Sequence, residues 1–267
     1  MASAQAAKKE LRKQIKQILA VLPQDVVAQQ TSRAVGALLA LPEYQAARRI
    51  SVYLSMPAGE ISTATIVHDA LAQGKKVFVP YTYQRSVQPE LKPKSIMDMV
   101  ELDSFRDFES FQPDKWGIPT PSAESITGRK NSFGGQGLSE GDANPVSGAE
   151  SGLDLIVVPG MAFDADFGRL GHGKGFYDFF LDRSQQHSQK ASGVRMPFLG
   201  MTAVRHLTNA DVKANSEQLV GLALKEQLLP PAQSVPMDAT DWRLDALVVG
   251  NGEVLRSTKA QPNASTP

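Results

Sequence analysis

A chain of 267 residues whose 28 basic and 28 acidic side chains cancel has no general basic surface for nucleic acid. It has no cysteine, which excludes disulfides, thiolate metal sites and thiol nucleophiles, and its four histidines, His68, His172, His187 and His206, lack the ligand spacing of a zinc site. The longest apolar runs fall far short of the roughly 20 residues of a membrane span, so no membrane partner is expected. The length suits one α/β domain with insertions as well as two small domains.

The first ten residues, M-A-S-A-Q-A-A-K-K-E, lack the apolar core of a secretory signal, and the reading is a cytoplasmic protein. A mitochondrial share stays open, because no acid precedes Glu10, although this N-terminus is short and poor in arginine. From Lys8 to Leu22 the apolar residues Leu11, Ile15, Ile18, Leu19 and Leu22 share one helical face, with Lys8, Lys9, Arg12, Lys13 and Lys16 opposite. Such a charge run is ordinarily a solvated face. A second helix is expected from Asp25, as N-cap, to about Leu41.

R-I-S-V-Y-L, Arg49 to Leu54, reads as a strand that ends in the loop S-M-P-A-G-E, closed by Glu60. A helix from Ser62 to Gln73 and a strand from Lys76 to Pro80 follow, a unit that implies a right-handed crossover and parallel pairing. Between Tyr81 and Pro121 the pattern is irregular, with M-D-M-V-E-L a short strand. Trp116 there is either core packing or an aromatic plane for a flat ligand. From Ser122 to Gly152 the composition turns to Ser, Gly, Glu, Asn and Asp, which predicts a mobile insertion without a core of its own.

Leu153 to Val158 is a buried strand stopped by Pro159-Gly160, and an aromatic-rich helix restarts near Phe176 and runs to Asp182. A second insertion is expected at about 184–217, within which P-F-L-G-M-T-A-V can form a strand. L-V-G-L-A-L-K-E-Q-L-L, Leu219 to Leu229, and L-D-A-L-V-V, Leu244 to Val249, read as the last core strands. The domain is expected to run over 1–255, with 256–267 a disordered tail.

The loop between Pro159 and Phe176 is the most informative stretch. Gly168, Gly171, Gly173 and Gly175 let backbone N–H groups approach a ligand, and Arg169 and Lys174 add positive charge beside them. The helix that follows adds its positive end, so the pattern suits phosphate. A Gly-rich turn is often only a tight connection, and neither the dinucleotide fingerprint nor the P-loop spacing is present.

The string R-L-G-H-G-K-G-F-Y-D, Arg169 to Asp178, preceded by V-P-G-M-A-F-D, resembles the signature of the 5-formyltetrahydrofolate cyclo-ligase family, also called methenyltetrahydrofolate synthetases. The resemblance implies a three-layer α/β/α domain with a mostly parallel sheet, similar to the ribose-phosphate isomerase and CoA transferase fold. It implies a monomer acting on two small molecules, ATP and a reduced folate, with Mg²⁺ as cofactor. The ATP site would comprise Lys8, Lys9, Glu10, Leu11 and Arg12 from the first helix, and Arg169, Leu170, Gly171, His172, Gly173, Lys174, Gly175, Phe176 and Tyr177 from the loop. The folate would meet Leu54, Glu60, Trp116, His172, Gly173, Lys174, Gly175 and Phe176.

Lys174 and Arg169 are the candidate catalytic groups on the transferring phosphate, and Asp178 and Asp241 the candidate Mg²⁺ ligands. Each has a plainer alternative: Glu60 as a solvated loop acid, Asp178 as compensation for a helix N-terminus, Asp241 as a turn acid. Two rival functions use the same residues. One is a sugar-phosphate isomerase or CoA transferase on the same fold; the other is a protein that stores nucleotide or folate without turning it over.

Overall fold

The computed structural model describes residues 2–85, 93–140, 150–192 and 217–257. The chain opens with helices α1 (Ala2–Ala20), α2 (Gln24–Leu39) and α3 (Pro42–Ala46), then enters strand β1 (Arg49–Val52). Helix α4 (Ala64–Ala72) leads to β2 (Lys76–Gln84), β3 (Ser95–Leu102) and α5 (Phe105–Glu109). A two-stranded hairpin, β4 (Gln112–Pro113) with β5 (Pro119–Thr120), and the short α6 (Ala123–Ile126) precede the central strand β6 (Leu155–Val158). Then come a second hairpin, β7 (Ala162–Phe163) with β8 (Arg169–Leu170), helix α7 (Phe176–Ser192), β9 (Gln218–Ala223), β10 (Ala246–Val249) and β11 (Val254–Arg256).

Seven strands form one sheet in the order β11-β10-β9-β6-β1-β2-β3. The five inner strands run parallel, and β3 and β11 close the edges antiparallel. All four residues of β6 are buried, as are those of β10, because a parallel sheet covered on both faces needs apolar side chains on both. Ile50, Val52, Leu155 and Val157 join the core beneath α2 and α4. Ile156 and Val158 face Phe163 and Phe180 on the side of α7. A third, smaller cluster seats Leu11 and Ile15 of α1 on Met161, Leu170 and Val235. This cluster fixes α1 beside the β7–β8 hairpin, and so beside the Gly-rich loop.

The structure departs from the sequence reading in several places. Pro23, not Asp25, precedes α2, and Asp25 lies in its first turn. Strand β9 ends at Ala223, where Gln227 Oε1 accepts from Leu224 N at 2.8 Å and starts a short 3-10 turn. Helix α7 continues past Asp182 to Ser192, because Phe180, Leu181, Arg183, Ser184 and His187 keep a buried face going.

Residues 122–140, expected to be mobile, pack in place. Their polar composition is satisfied internally, with Asn131 Oδ1 accepting from Phe133 N at 3.0 Å and Gly135 N at 3.2 Å while Nδ2 donates to Gly137 O at 2.9 Å. Arg129 grips Asp107 with both terminal nitrogens, at 2.6 and 2.7 Å. Phe133 is buried against Phe180. Polar side chains that fold back on their own backbone can order a segment with little apolar area. The remainder of that expected insertion (141–149), most of the second (193–216, with the strand expected in it) and 258–267 lie outside the described residues.

Candidate functional site

The site sits beyond the carboxyl end of β6, where open α/β sheets bind ligands. The chain does not pass straight from β6 into the Gly-rich loop. It first makes the β7–β8 hairpin, whose tip is wound around Asp164: Oδ1 accepts from Asp166 N at 2.9 Å and Gly168 N at 2.8 Å, and Oδ2 accepts from Val235 N at 2.7 Å. This buried carboxylate ties the hairpin to the segment that carries the acids at 238 and 241. Strand β8 then delivers Gly171 to Gly175 into the start of α7.

Gly173 has φ +94°, and a Cβ there would lie 3.2 Å from Arg12 Cζ. A side chain would be both strained and in the way, so glycine at this position lets α1 approach the loop. Arg12 Nε donates to Gly171 O at 2.8 Å. Burial lowers the Arg12 guanidinium slightly, opposed by Asp241, and it stays charged.

Lys8, one turn earlier on α1, reaches across to two acids. Its Nζ donates to Asp238 Oδ2 at 2.8 Å and to Asp241 Oδ2 at 2.5 Å. Burial alone would lower the Lys8 ammonium, but the hydrogen bonds to Asp238 and Asp241 outweigh it and leave it raised. Lys8 in turn holds the Asp238 carboxyl well below the usual carboxylate range, with Thr240 adding to the effect.

Lys174 is exposed at the rim of the loop, as are Lys9 and Glu10 on α1. Arg169 is different. It is 5% exposed, its Nη2 donates to Asp178 Oδ1 at 2.9 Å, and its guanidinium lies 5.5 Å from the Tyr177 ring centroid. The side chain is therefore built into the floor rather than held out to solvent. Its Nε and the Tyr177 hydroxyl are buried without a hydrogen-bond partner among the described residues. Buried donors left open in this way suit a polar ligand atom.

On the far side of the loop His172 Nε2 lies 3.2 Å from Glu60 Oε1, and Glu60 Oε2 accepts from Met56 N at 3.0 Å. Burial pushes the Tyr53 phenol well up, with Glu60 and Tyr177 adding to the shift. Its hydroxyl donates to Ile61 O at 2.7 Å. Tyr177 is also raised, by burial first, with Arg169 opposing and Glu60 reinforcing. Glu60, Tyr53, Tyr177 and Arg169 thus lie near enough to act on one another electrostatically.

Trp116 stands 54% exposed at the tip of the β4–β5 hairpin. The next residue, Gly117, has φ +79° and comes so close to Pro57 that a Cβ would lie 2.6 Å from Pro57 Cγ. That contact sets the indole beside the loop of Glu60. The structure therefore sets Arg12, with Lys8 a turn earlier on α1, against the Gly-rich loop that carries Arg169, His172, Lys174 and Tyr177, brings Glu60 to His172, and holds Trp116 next to Pro57 of the Glu60 loop.

Three of the expected contact residues have side chains buried in the core: Leu11 and Leu170 in the cluster under α1, and Leu54 just after β1 in the cluster that includes α2 and α4 side chains. Phe176 is half-buried and packs with the Phe180 cluster. Asp238 and Tyr53 were missed by the sequence reading. The D-A-T-D spacing of Asp238 to Asp241 was the available signal, since an acid followed two residues on by Thr commonly closes a turn.

Among the described residues no group of three or more His, Cys, Asp or Glu is arranged to hold a metal ion. Asp178 and Asp241 nevertheless flank one place: Trp242 N, next in the chain to Asp241, lies 3.4 Å from Asp178 Oδ1. The bonds to Asp178 fall on Oδ1 and those to Asp241 on Oδ2. Carboxylates with one oxygen outside these bonds are the donor type that a hydrated Mg²⁺ takes. No helix among the described residues is long and apolar enough to cross a membrane.

The family model described as the 5-formyltetrahydrofolate cyclo-ligase family matches residues 4–204. The chain is 31% identical over 242 residues to the probable 5-formyltetrahydrofolate cyclo-ligase of Schizosaccharomyces pombe, covering 90% of this chain and 94% of that protein. It is 31% identical over 244 residues to the 5-formyltetrahydrofolate cyclo-ligase of Mus musculus, covering 91% and 93%. Its fold is similar to the solution structure of the Aquifex aeolicus 5,10-methenyltetrahydrofolate synthetase, with a TM-score of 0.56, 21% identity, and 97% and 96% of the two chains covered.

Proposed function

We infer the chemistry from one premise: this chain belongs to the 5-formyltetrahydrofolate cyclo-ligase family. It is an enzyme that converts 5-formyltetrahydrofolate to 5,10-methenyltetrahydrofolate, with the use of ATP that this class of ligase implies. The observation that carries our assignment of the site is the two-sidedness of the Gly-rich loop. One flank carries Arg12 on Gly171 O, with Lys8 a turn earlier on α1; the other carries His172 on Glu60.

An N-formyl amide is a poor electrophile. Transfer of the terminal phosphoryl group of ATP to the formyl oxygen gives an imidate-like phosphate and ADP. The folate position-10 nitrogen then attacks the formyl carbon, the carbon–oxygen bond breaks, phosphate departs with that oxygen, and the nitrogen's proton passes to solvent. Phosphoryl transfer of this kind rests on positioning and charge neutralisation and needs no covalent nucleophile. Lys174, exposed and free to swing, meets the transferring phosphate. Arg169 acts from beneath: it fixes Asp178 and offers its open Nε. Backbone N–H groups of the loop and the N-terminus of α7 complete the anion site.

Glu60 accepts from the amino and ring N–H groups of the pterin, a stronger bond than a neutral acceptor would make, and Trp116 stacks on a ring of the folate. Mg²⁺ would be held by Asp178 and Asp241, and when bound it neutralises phosphate charge. The protein is assigned as a monomer of the cytosol. Gel filtration eluting at twice the chain mass, or fractionation placing all of it in the mitochondrial matrix, counts against that part.

The test is a mixture of the full chain with Mg-ATP and 5-formyltetrahydrofolate, followed by methenyl absorbance and ADP release. The two rise together at equal stoichiometry if the assignment holds. Binding of both ligands without product points to storage, and turnover of a sugar phosphate or a CoA thioester points to the other enzymes of this fold.

A further inference from the structure

We propose that Asp238 is the positioning residue that holds Lys8 ready for the phosphates of the nucleotide, an inference that rests on the nucleotide site assigned above. Lys8 and Asp238 are 230 residues apart in the chain, and nothing in the helical pattern of α1 singles out a partner for this lysine. The fold brings its ammonium between two carboxylates that play different parts.

Asp241 Oδ2 accepts from Lys8 and also from Asp238 N, at 2.7 Å. Asp238 is oriented by its own turn: Oδ1 accepts from Thr240 N at 3.0 Å and from Thr240 Oγ1 at 2.6 Å, which leaves Oδ2 directed at Lys8. An ammonium has three N–H donors. Two are engaged by these acids, and the third is left for an oxygen of the incoming phosphate.

The division of labour follows from the chemistry. A carboxylate that turns to a cation accompanying the nucleotide cannot also be the sole anchor of Lys8, and Asp241 is the acid placed near Asp178. Asp238, anchored by its own turn to Thr240, keeps the ammonium in position when Asp241 is drawn away. Lysine has a long flexible stem with much rotamer entropy to lose, so a fixed second anchor lowers what the nucleotide must supply to order it.

The competing explanation is that Asp238 only shapes the turn. Asparagine distinguishes the two, because its side-chain oxygen makes the same turn bonds to Thr240 while the charge facing Lys8 is lost. Asp238→Asn is expected to weaken ATP affinity by calorimetry about tenfold, the loss of one charge-assisted hydrogen bond. Affinity for 5-formyltetrahydrofolate stays at the parent value, the melting temperature falls only slightly, and KM for ATP rises while kcat is nearly unchanged. Thr240→Ala, which loosens the turn and keeps the charge, is expected to weaken ATP less. The inference is overturned if Asp238→Asn binds ATP as the parent does, or if ATP affinity, folate affinity and melting temperature fall together. A parent protein that takes up no ATP removes the nucleotide site itself, and this inference with it.

Discussion

His172 and Glu60, 112 residues apart in sequence, meet with Nε2 3.2 Å from Oε1, across the gap between the Gly-rich loop and the loop after β1. In the free protein this contact occupies the acid that the folate is assigned to use. The pterin must take the place of His172 on Glu60, and His172 is exposed enough to move.

Glu60→Gln keeps the shape and removes the charge. It is expected to weaken 5-formyltetrahydrofolate about tenfold and to leave ATP affinity at the parent value, because a charged acceptor bonds an N–H donor more strongly than a neutral one. Calorimetry with each ligand separately checks this, and an equal loss for both ligands counts against a folate-specific role.

Lys174→Ala is expected to lower kcat by on the order of a hundredfold, the usual cost of removing one charge-stabilising donor. Lys174 is exposed, so the melting temperature should not move. Near-normal turnover in a steady-state assay of methenyl product removes Lys174 from the mechanism.

Gly173→Ala tests the close approach of α1. The new Cβ would be strained at φ +94° and crowded against Arg12, costing roughly 1–2 kcal/mol. Displacing Arg12 from Gly171 O should weaken ATP more than folate. Gly36→Ala, where nothing lies within 4 Å of an added Cβ, serves as the control that leaves both affinities alone.

Arg183 of α7 donates to Asp98 Oδ1 at 2.8 Å and Met97 O at 2.5 Å on β3, and to Ser139 Oγ at 2.8 Å. Asp98 is fully buried. Arg183→Met leaves that carboxylate without its cation and is expected to cost about 3–5 kcal/mol in urea unfolding. A loss below 1 kcal/mol would mean that the pair contributes no more than a surface contact.

Glu217, at the head of β9, is half-buried; burial raises its carboxyl to about 7, with the Ser184 and Leu153 hydrogen bonds opposing. The native state thus holds this proton more tightly than the unfolded chain. Its contribution to stability is complete below the unfolded value of 4.5 and is lost as pH rises through about 7. The difference in unfolding free energy between the parent and Glu217→Gln should change by up to roughly 3 kcal/mol across that window and be flat above it. A difference that does not vary with pH would show that Glu217 titrates normally.

Much of the fold was legible because it depends on local pattern. The continuous apolar runs of β6 and β10 announce strands buried on both faces, and the spacing of Leu11 and Ile15 announces the buried stripe of α1. The order of residues 122–140 was not legible. It rests on Asn131 and Arg129 closing hydrogen bonds that composition cannot reveal, and on Phe133 reaching Phe180 from another element.

The site divides in the same way. Residue types and spacing alone showed that Gly171 to Gly175, with Lys174, form a turn suited to an anion, because backbone freedom and charge are properties of the segment itself. Only the tertiary structure decided that Arg169 is buried on Asp178, that Leu54 is buried at the end of β1, and that Lys8 ends between Asp238 and Asp241. Each of these depends on which distant side chain desolvates or pairs with the group, and a sequence carries no distance between positions 8 and 238 until the sheet has brought them together.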